Sequence, residues 1–200
     1  MAKKTWCVPE LTDEFRERME DVLDQYEKPL DPEEPVICLD EQPYQMVDDA
    51  WAPEQAQPGK IAKQDYEYRR CGTCSVFVAV EPKAGKRLVQ AKRLMDNLNT
   101  HNEKSLIETF GEAQAKLLLD RIEWHYTPKH ASWLNLAEIE ISALAKQCLD
   151  RRLSTIELVQ YEASHWSRDR NRKKIKINWT FNRKDAKRVF PKLYRKRLAG

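Results

Sequence analysis

Asp40, Asp96 and Glu138 are the residues of this sequence best placed for phosphate chemistry. Asp40 closes the apolar run Val36-Ile37-Cys38-Leu39, and Asp96 closes Arg93-Leu94-Met95. Glu138 ends the stretch His125-Tyr126-Thr127-Pro128-Lys129-His130-Ala131-Ser132-Trp133-Leu134-Asn135-Leu136-Ala137-Glu138, which turns at Pro128 and enters a helix. One aspartate at a strand end is more often a turn former or helix cap. Three carboxylates on separate elements are less ordinary. Brought together they repel and raise one another's pKa, and divalent cations remove that repulsion. Oxygen ligands without His or Cys select Mg2+ or Mn2+ over zinc. Two such ions about 3.5–4 Å apart activate a water or 3′-hydroxyl and stabilise the leaving oxygen of a phosphodiester.

The elements that must position these residues follow from periodicity. Phe15, Met19, Val22, Leu23 and Tyr26 recur at helical spacing over 12–28, with Thr12 as a cap. Val36 to Leu39 suits a short strand buried on both faces. Residues 41–64, rich in Pro, Gln and Ala, read as a long loop. Tyr66 to Arg69 and Cys74 to Val80 are β-prone, and Pro82-Lys83-Ala84-Gly85 is a hairpin turn. Arg87 to Val89 and Arg93 to Met95 are further strand candidates. Helices are expected over 105–110 and 112–120, then an alternating strand from Ile122 to Tyr126. Ser132 would cap a helix running to about Leu149, and Thr155 to Trp166 forms another. A strand from Ile175 to Phe181 and a basic helix from Lys184 to Arg197 complete the chain.

Strands followed by a strand–helix alternation predict an α/β fold with a mixed sheet. Parallel strands would bring Asp40 and Asp96 to one carboxyl edge, where open α/β sheets bind ligands. In the helix after Ser132, Leu134, Ala137, Ile141, Leu144, Ala145 and Cys148 form one apolar stripe. Glu138 borders that stripe on one side and Glu140 on the other, so periodicity leaves both as candidates.

Charge is distributed unevenly. Up to Pro58 there are 5 basic and 16 acidic residues, while Arg168 to Arg197 hold 14 basic and 2 acidic ones. A basic tail on a near-neutral body suits a polyanion partner. No leader-like apolar segment follows Met1, no run approaches the ~18 apolar residues of a membrane span, and the cysteine count of 5 is odd. These features predict a cytoplasmic protein with free thiols and no membrane partner. Cys71-Gly72-Thr73-Cys74 stands without a second pair and does not complete a four-ligand zinc site.

The segments Val36 to Glu41, Asp65-Tyr66-Glu67-Tyr68, Leu94-Met95-Asp96-Asn97-Leu98-Asn99-Thr100-His101 and His125 to Glu138 resemble bacterial transposases of the insertion-sequence-630 family, in the mariner-like DDE superfamily. The stretches Gln147 to Arg152 and Asp185 to Tyr194 extend the resemblance over nearly the whole chain. It implies an RNase H-like core that cuts and joins double-stranded DNA at transposon ends, using two Mg2+ or Mn2+ ions held by Asp, Asp and Glu. By motif these are Asp40, Asp96 and Glu138, the last closing Asn135-x-x-Glu138 and leaving Glu140 as a neighbour. Asn97, His101, His130 and Asn135 are implied as site-lining or scaffold residues. The resemblance further implies a nucleoid-associated protein, a homodimer on paired DNA ends, and three regions: an arm over 1–33, a catalytic core over 34–166 and a basic tail over 167–200.

Two departures from the family pattern set further expectations. The chain starts near the end of the family's N-terminal helix-turn-helix region. Residues 86–95 are also too few for two strands and a crossover helix, since a crossover alone needs roughly a dozen residues. One strand and the first crossover helix are therefore expected to be missing, uncovering one sheet face. The alternative function is a catalytically inactive transposase remnant that binds DNA or a full-length transposase. A structure-selective nuclease on the same core is a third reading.

Overall fold

The computed structural model describes residues 11–93 and 112–194, which divide between two compact units. The larger comprises Lys28–Arg93 and Ser132–Thr180. Its sheet is a meander of three antiparallel strands, β1 (Cys38–Asp49), β2 (Tyr68–Glu81) and β3 (Lys86–Lys92), in the order β1-β2-β3.

Strict alternation defines β3: Arg87, Val89 and Ala91 are buried, while Lys86, Leu88, Gln90 and Lys92 are exposed. The buried face of the sheet offers Met46, Cys74, Val76, Val78, Val89 and Ala91. Ile141, Leu144, Cys148, Leu149, Val159 and Ala163 complete that core from the helical side. Two helices supply them: α3 (Leu136–Leu144), continued by a π turn over Ala145–Leu149, and α4 (Ile156–Arg172). Helix α2 (Glu112–Leu119) belongs to the other unit. On the opposite face, among the described residues, Leu39 is 40% and Leu88 67% exposed.

Several sequence expectations are corrected. Val36 to Leu39 is not a strand buried on both faces, because among the described residues helices pack on one face of β1. Cys38 is buried and Leu39 is not. Asp40 does not close a strand; it is the third residue of a 12-residue strand and pairs across with Val78. The loop expected over 41–64 is strand as far as Asp49, with an irregularity between Gln45 and Val47. Its polar residues conceal Tyr44 and Met46, which pack on the core. Tyr68 to Glu81 is one continuous strand, not two.

All strand pairing among the described residues is antiparallel, so the parallel part of the expected mixed sheet is not seen there. Leu94, Met95 and Asp96 lie outside the described residues, as do Asn97, His101 and the helix expected over 105–110. Ser132 does not cap the long helix. Residues Ser132–Leu134 form a 3-10 turn, and Asn135 takes the cap. Helix α4 runs six residues past Trp166 to Arg172, because arginines in that stretch sustain a helix.

The second unit comprises Met1–Glu27, Leu94–Ala131 and Phe181–Gly200. Thr12 caps α1 (Asp13–Glu27), accepting from the Phe15 amide at 3.1 Å, and Phe15, Met19, Val22 and Leu23 are buried as their spacing predicts. The basic helix expected from Lys184 is broken into α5 (Arg183–Val189) and α6 (Pro191–Tyr194), because Pro191 cannot continue α5. Phe15 meets Phe190 edge to face at 6.3 Å between ring centroids. Ile122 to Tyr126 alternates as a strand would, yet no ladder forms among the described residues. Instead Trp124 stacks on Tyr126, and His125 Nδ1 lies 2.9 Å from Asp21 on α1. Ile175 to Phe181 likewise forms no ladder. Among the described residues no helix is long and apolar enough to cross a membrane.

Candidate active site

Asn135 ties Asp40 to the start of the helix that carries Glu138. Its backbone is extended (φ −80°, ψ 111°), the geometry of an N-cap. The side-chain oxygen accepts from the Ala137 amide at 3.1 Å and so starts α3. The side-chain nitrogen donates to the Leu39 carbonyl at 2.9 Å and to Asp40 Oδ2 at 3.2 Å. Asp40 Oδ1 accepts from the Glu41 amide at 2.8 Å. One side chain thus ties β1 at Asp40 to the start of α3, and Glu138 lies in the first turn of that helix. An acidic residue there complements the helix dipole. Glu138 is half-buried, and its carboxylate has no hydrogen-bond or ion-pair partner among the described residues.

Glu140 has a different environment. It is fully buried, with Arg87 Nε 2.6 Å and Arg170 Nε 2.8 Å from its Oε1. Arg170 Nη2 also donates to Oε2 at 3.2 Å. Burial pushes the Arg87 guanidinium below its usual range, and the adjoining Glu140 carboxylate opposes that shift. Arg87 also donates to the carbonyls of Gly85 and Ile175 and to Asn171 Oδ1. Asn171 in turn bonds the backbone of Arg87 in both directions. Glu140 therefore locks α3, α4 and β3 together, with both of its oxygens taken by arginines.

The sequence reading missed this cluster. The signal was the period-2 row Arg87-x-Val89-x-Ala91, which puts an arginine on the buried face of β3 and calls for a buried anion opposite.

Among the described residues no three His, Cys, Asp or Glu side chains form a metal-holding group. Asp40 and Glu138 supply hard oxygen donors of the kind Mg2+ or Mn2+ prefers, and the third expected donor, Asp96, lies outside the described residues. His130 is exposed with φ 60°, and His125 is engaged with Asp21. The Cys71 and Cys74 pair does not form a site. Cys74 is buried in the core, and burial pushes its thiol up; Cys71 is half-buried and donates to the Arg69 carbonyl.

A surface cleft involves neither Asp40 nor Glu138; Tyr44, Asp49, Gln64, Arg151 and Arg152 line it. Its arginines are neutralised, Arg152 by Asp49 at 2.5 Å and Arg151 by Glu162 at 2.6 Å.

No curated protein and no solved structure matches the chain. Residues 92–160, about a third of the sequence, match the family described as DDE superfamily endonuclease. That stretch holds Asp96, Asn135 and Glu138, while Asp40 precedes it. With Asn135 binding Asp40 to the helix that carries Glu138, the match supports a DDE-type, transposase-like protein.

Proposed function

We propose that the chain is the catalytic part of a DDE transposase of the insertion-sequence-630 kind. In this reading an RNase H-like core over residues 34–166 lies between an arm over 1–33 and a basic tail over 167–200. It cleaves and joins double-stranded DNA at transposon ends in the bacterial cytoplasm, at the nucleoid, as a homodimer. Asp40, Asp96 and Glu138 would hold two Mg2+ or Mn2+ ions. When bound, such ions activate a water or 3′-hydroxyl and stabilise the leaving oxygen.

The observation that carries the reading is the Asn135 link between Asp40 and the start of α3, whose first turn holds Glu138 with no carboxylate partner among the described residues. Asn135 fixes the Asp40 carboxylate and the origin of the helix with the same side chain. Glu140, whose oxygens are both held by arginines, is not available for the same task.

The alternative is an inactive remnant that binds DNA or a full-length transposase. It is favoured by the short segment after Gly85, which is spent on strand β3 as far as Lys92, and by the exposed Leu39 and Leu88. Incubation with transposon-end DNA and Mg2+ or Mn2+ separates the two. Metal-dependent cleavage that disappears in Asp40→Ala, Asp96→Ala and Glu138→Gln is the expected result. DNA binding without cleavage under either metal supports the remnant.

A further inference from the structure

We propose that Lys174 and Lys176 form a phosphate-holding ledge for the DNA backbone, outside the Asp40 and Glu138 site; the choice of DNA as partner rests on the function proposed above. The basic run from Arg168 onward is not uniformly available. Arg170 is consumed by Glu140, Arg183 by Asp24 and Glu20, and Arg188 by Asp185. Arg172 and Lys173 share Asp169, at 2.5 and 2.6 Å. Lys174 and Lys176 are exposed and have no acidic partner among the described residues; Arg168, Lys184 and Lys192 share that freedom, but Lys174 and Lys176 stand on one strip whose backbone is tied down on both sides.

The backbone beneath them is built with care. Helix α4 ends with the Lys174 amide donating to the Asn171 carbonyl at 3.0 Å and the Ile175 amide to the Arg170 carbonyl at 3.1 Å. This is the Schellman ending, whose left-handed position is usually glycine. Here it is Lys174, at φ 49°. The left-handed conformation strains a residue with a Cβ, and such outliers persist where surrounding structure holds them. Gly85 does that from below. A Cβ on Gly85 would come within 2.7 Å of the Lys174 carbonyl carbon, so the hairpin tip lies directly against this turn.

The strip beyond is strapped down as well. Arg87 donates to the Ile175 carbonyl, and the Ile177 amide donates to the Pro82 carbonyl at 3.1 Å. Exposure alternates along it, with Lys174, Lys176 and Asn178 out and Ile175 and Ile177 half-buried. Lys174 and Lys176 therefore share the exposed side of the strip, one ammonium for each of two phosphates. A rigid backbone lowers the ordering cost of binding. Glycine would serve the fold at position 174 better than lysine, so the ammonium serves a partner outside the fold. Phosphate contacts of this kind position DNA without reading its sequence.

The test is duplex binding by the full chain in EDTA, followed by fluorescence anisotropy across a salt series. Lys174→Gly and Lys174→Gly/Lys176→Ala are compared with the natural sequence on two unrelated duplexes. The slope of log affinity against log salt is expected to fall by about one per lysine removed, equally for both duplexes. Lys174→Gly should melt no lower than the natural chain, since glycine suits the left-handed turn. An unchanged slope, a lower melting temperature in Lys174→Gly, or no duplex binding by the natural chain overturns the ledge. Metal-dependent cleavage with an unchanged slope overturns the ledge alone. Ledge-dependent binding without cleavage overturns the catalytic reading alone.

Discussion

The Asn135 side-chain nitrogen donates to Asp40 Oδ2 at 3.2 Å across 95 positions of the chain. Two separable functions meet in this amide, the helix cap and the hold on Asp40. Asn135→Ala removes both and should cost about 2 kcal/mol together, read as a lower urea midpoint. Asn135→Asp keeps a good cap but sets a second carboxylate against Asp40. Its midpoint should recover in millimolar Mn2+ by more than that of the natural chain. Equal midpoints for the alanine variant and the natural chain would remove the clamp from the account.

Glu138 and Glu140 sit two residues apart with opposite consequences. Glu140→Gln leaves Arg87 and Arg170 facing a neutral group in a buried cluster, and breaking such a cluster costs roughly 3–5 kcal/mol. Glu138→Gln touches no partner among the described residues, so its effect on stability should stay within about 0.5 kcal/mol. Cleavage should vanish in Glu138→Gln while stability falls by no more than the helix-dipole contribution of about 0.5 kcal/mol. A destabilised Glu138→Gln variant would show that this carboxylate serves the fold.

Glycines 59 and 85 both adopt positive φ, at 80° and 68°. Nothing lies within 4 Å of a Cβ placed on Gly59, so Gly59→Ala meets only the left-handed cost of about 1 kcal/mol. Gly85→Ala adds a collision with the backbone of Lys174 and Ile175, at 2.7 to 3.0 Å. Its loss should exceed that of Gly59→Ala by at least about 1 kcal/mol. Denaturant midpoints of the two variants, ranked the other way, would contradict the close packing of hairpin and turn.

Burial pushes the thiols of Cys74 and Cys148 up. Labelling of the native chain, mapped by mass spectrometry, should modify Cys71 faster than either, on the order of a hundredfold. A raised thiol pKa favours the protonated form in the folded state. The associated stability is present below the unfolded thiol range near 8.5 and is lost as pH rises through the higher folded values. Melting temperature should therefore decline between pH 8 and 10. A flat profile there would contradict the burial of both groups.

Legibility of the chain followed burial and partners. Helices α1, α3 and α4 were readable because apolar residues at helical spacing face a core; Thr12 announces the start of α1, whereas Ser154 and Thr155 were equal candidates for the start of α4 and the structure gives the cap to Thr155. The far half of β1 was not readable, since Gln42, Pro43 and Gln45 conceal the inward Tyr44 and Met46. Ile122 to Tyr126 misled because alternation cannot reveal whether a neighbouring strand exists to pair with. At the site, periodicity left Glu138 and Glu140 equivalent. Their difference lies in arginines brought by β3 and α4 from distant positions, a relationship that no local spacing records.

The reach of β1 and β2 past the core bears on how this chain tolerates being cut. Residues 50–70 are exposed throughout, and inside that stretch the backbone bridges are Glu54 with Lys63 and Gln57 with Lys60. A nick at Lys60 breaks no buried contact, whereas the paired strands and the helices behind them remain cross-connected. The two fragments should stay associated as a complementing pair, so the turn at Gly59 is a natural place to split the protein, permute its ends or graft a foreign module.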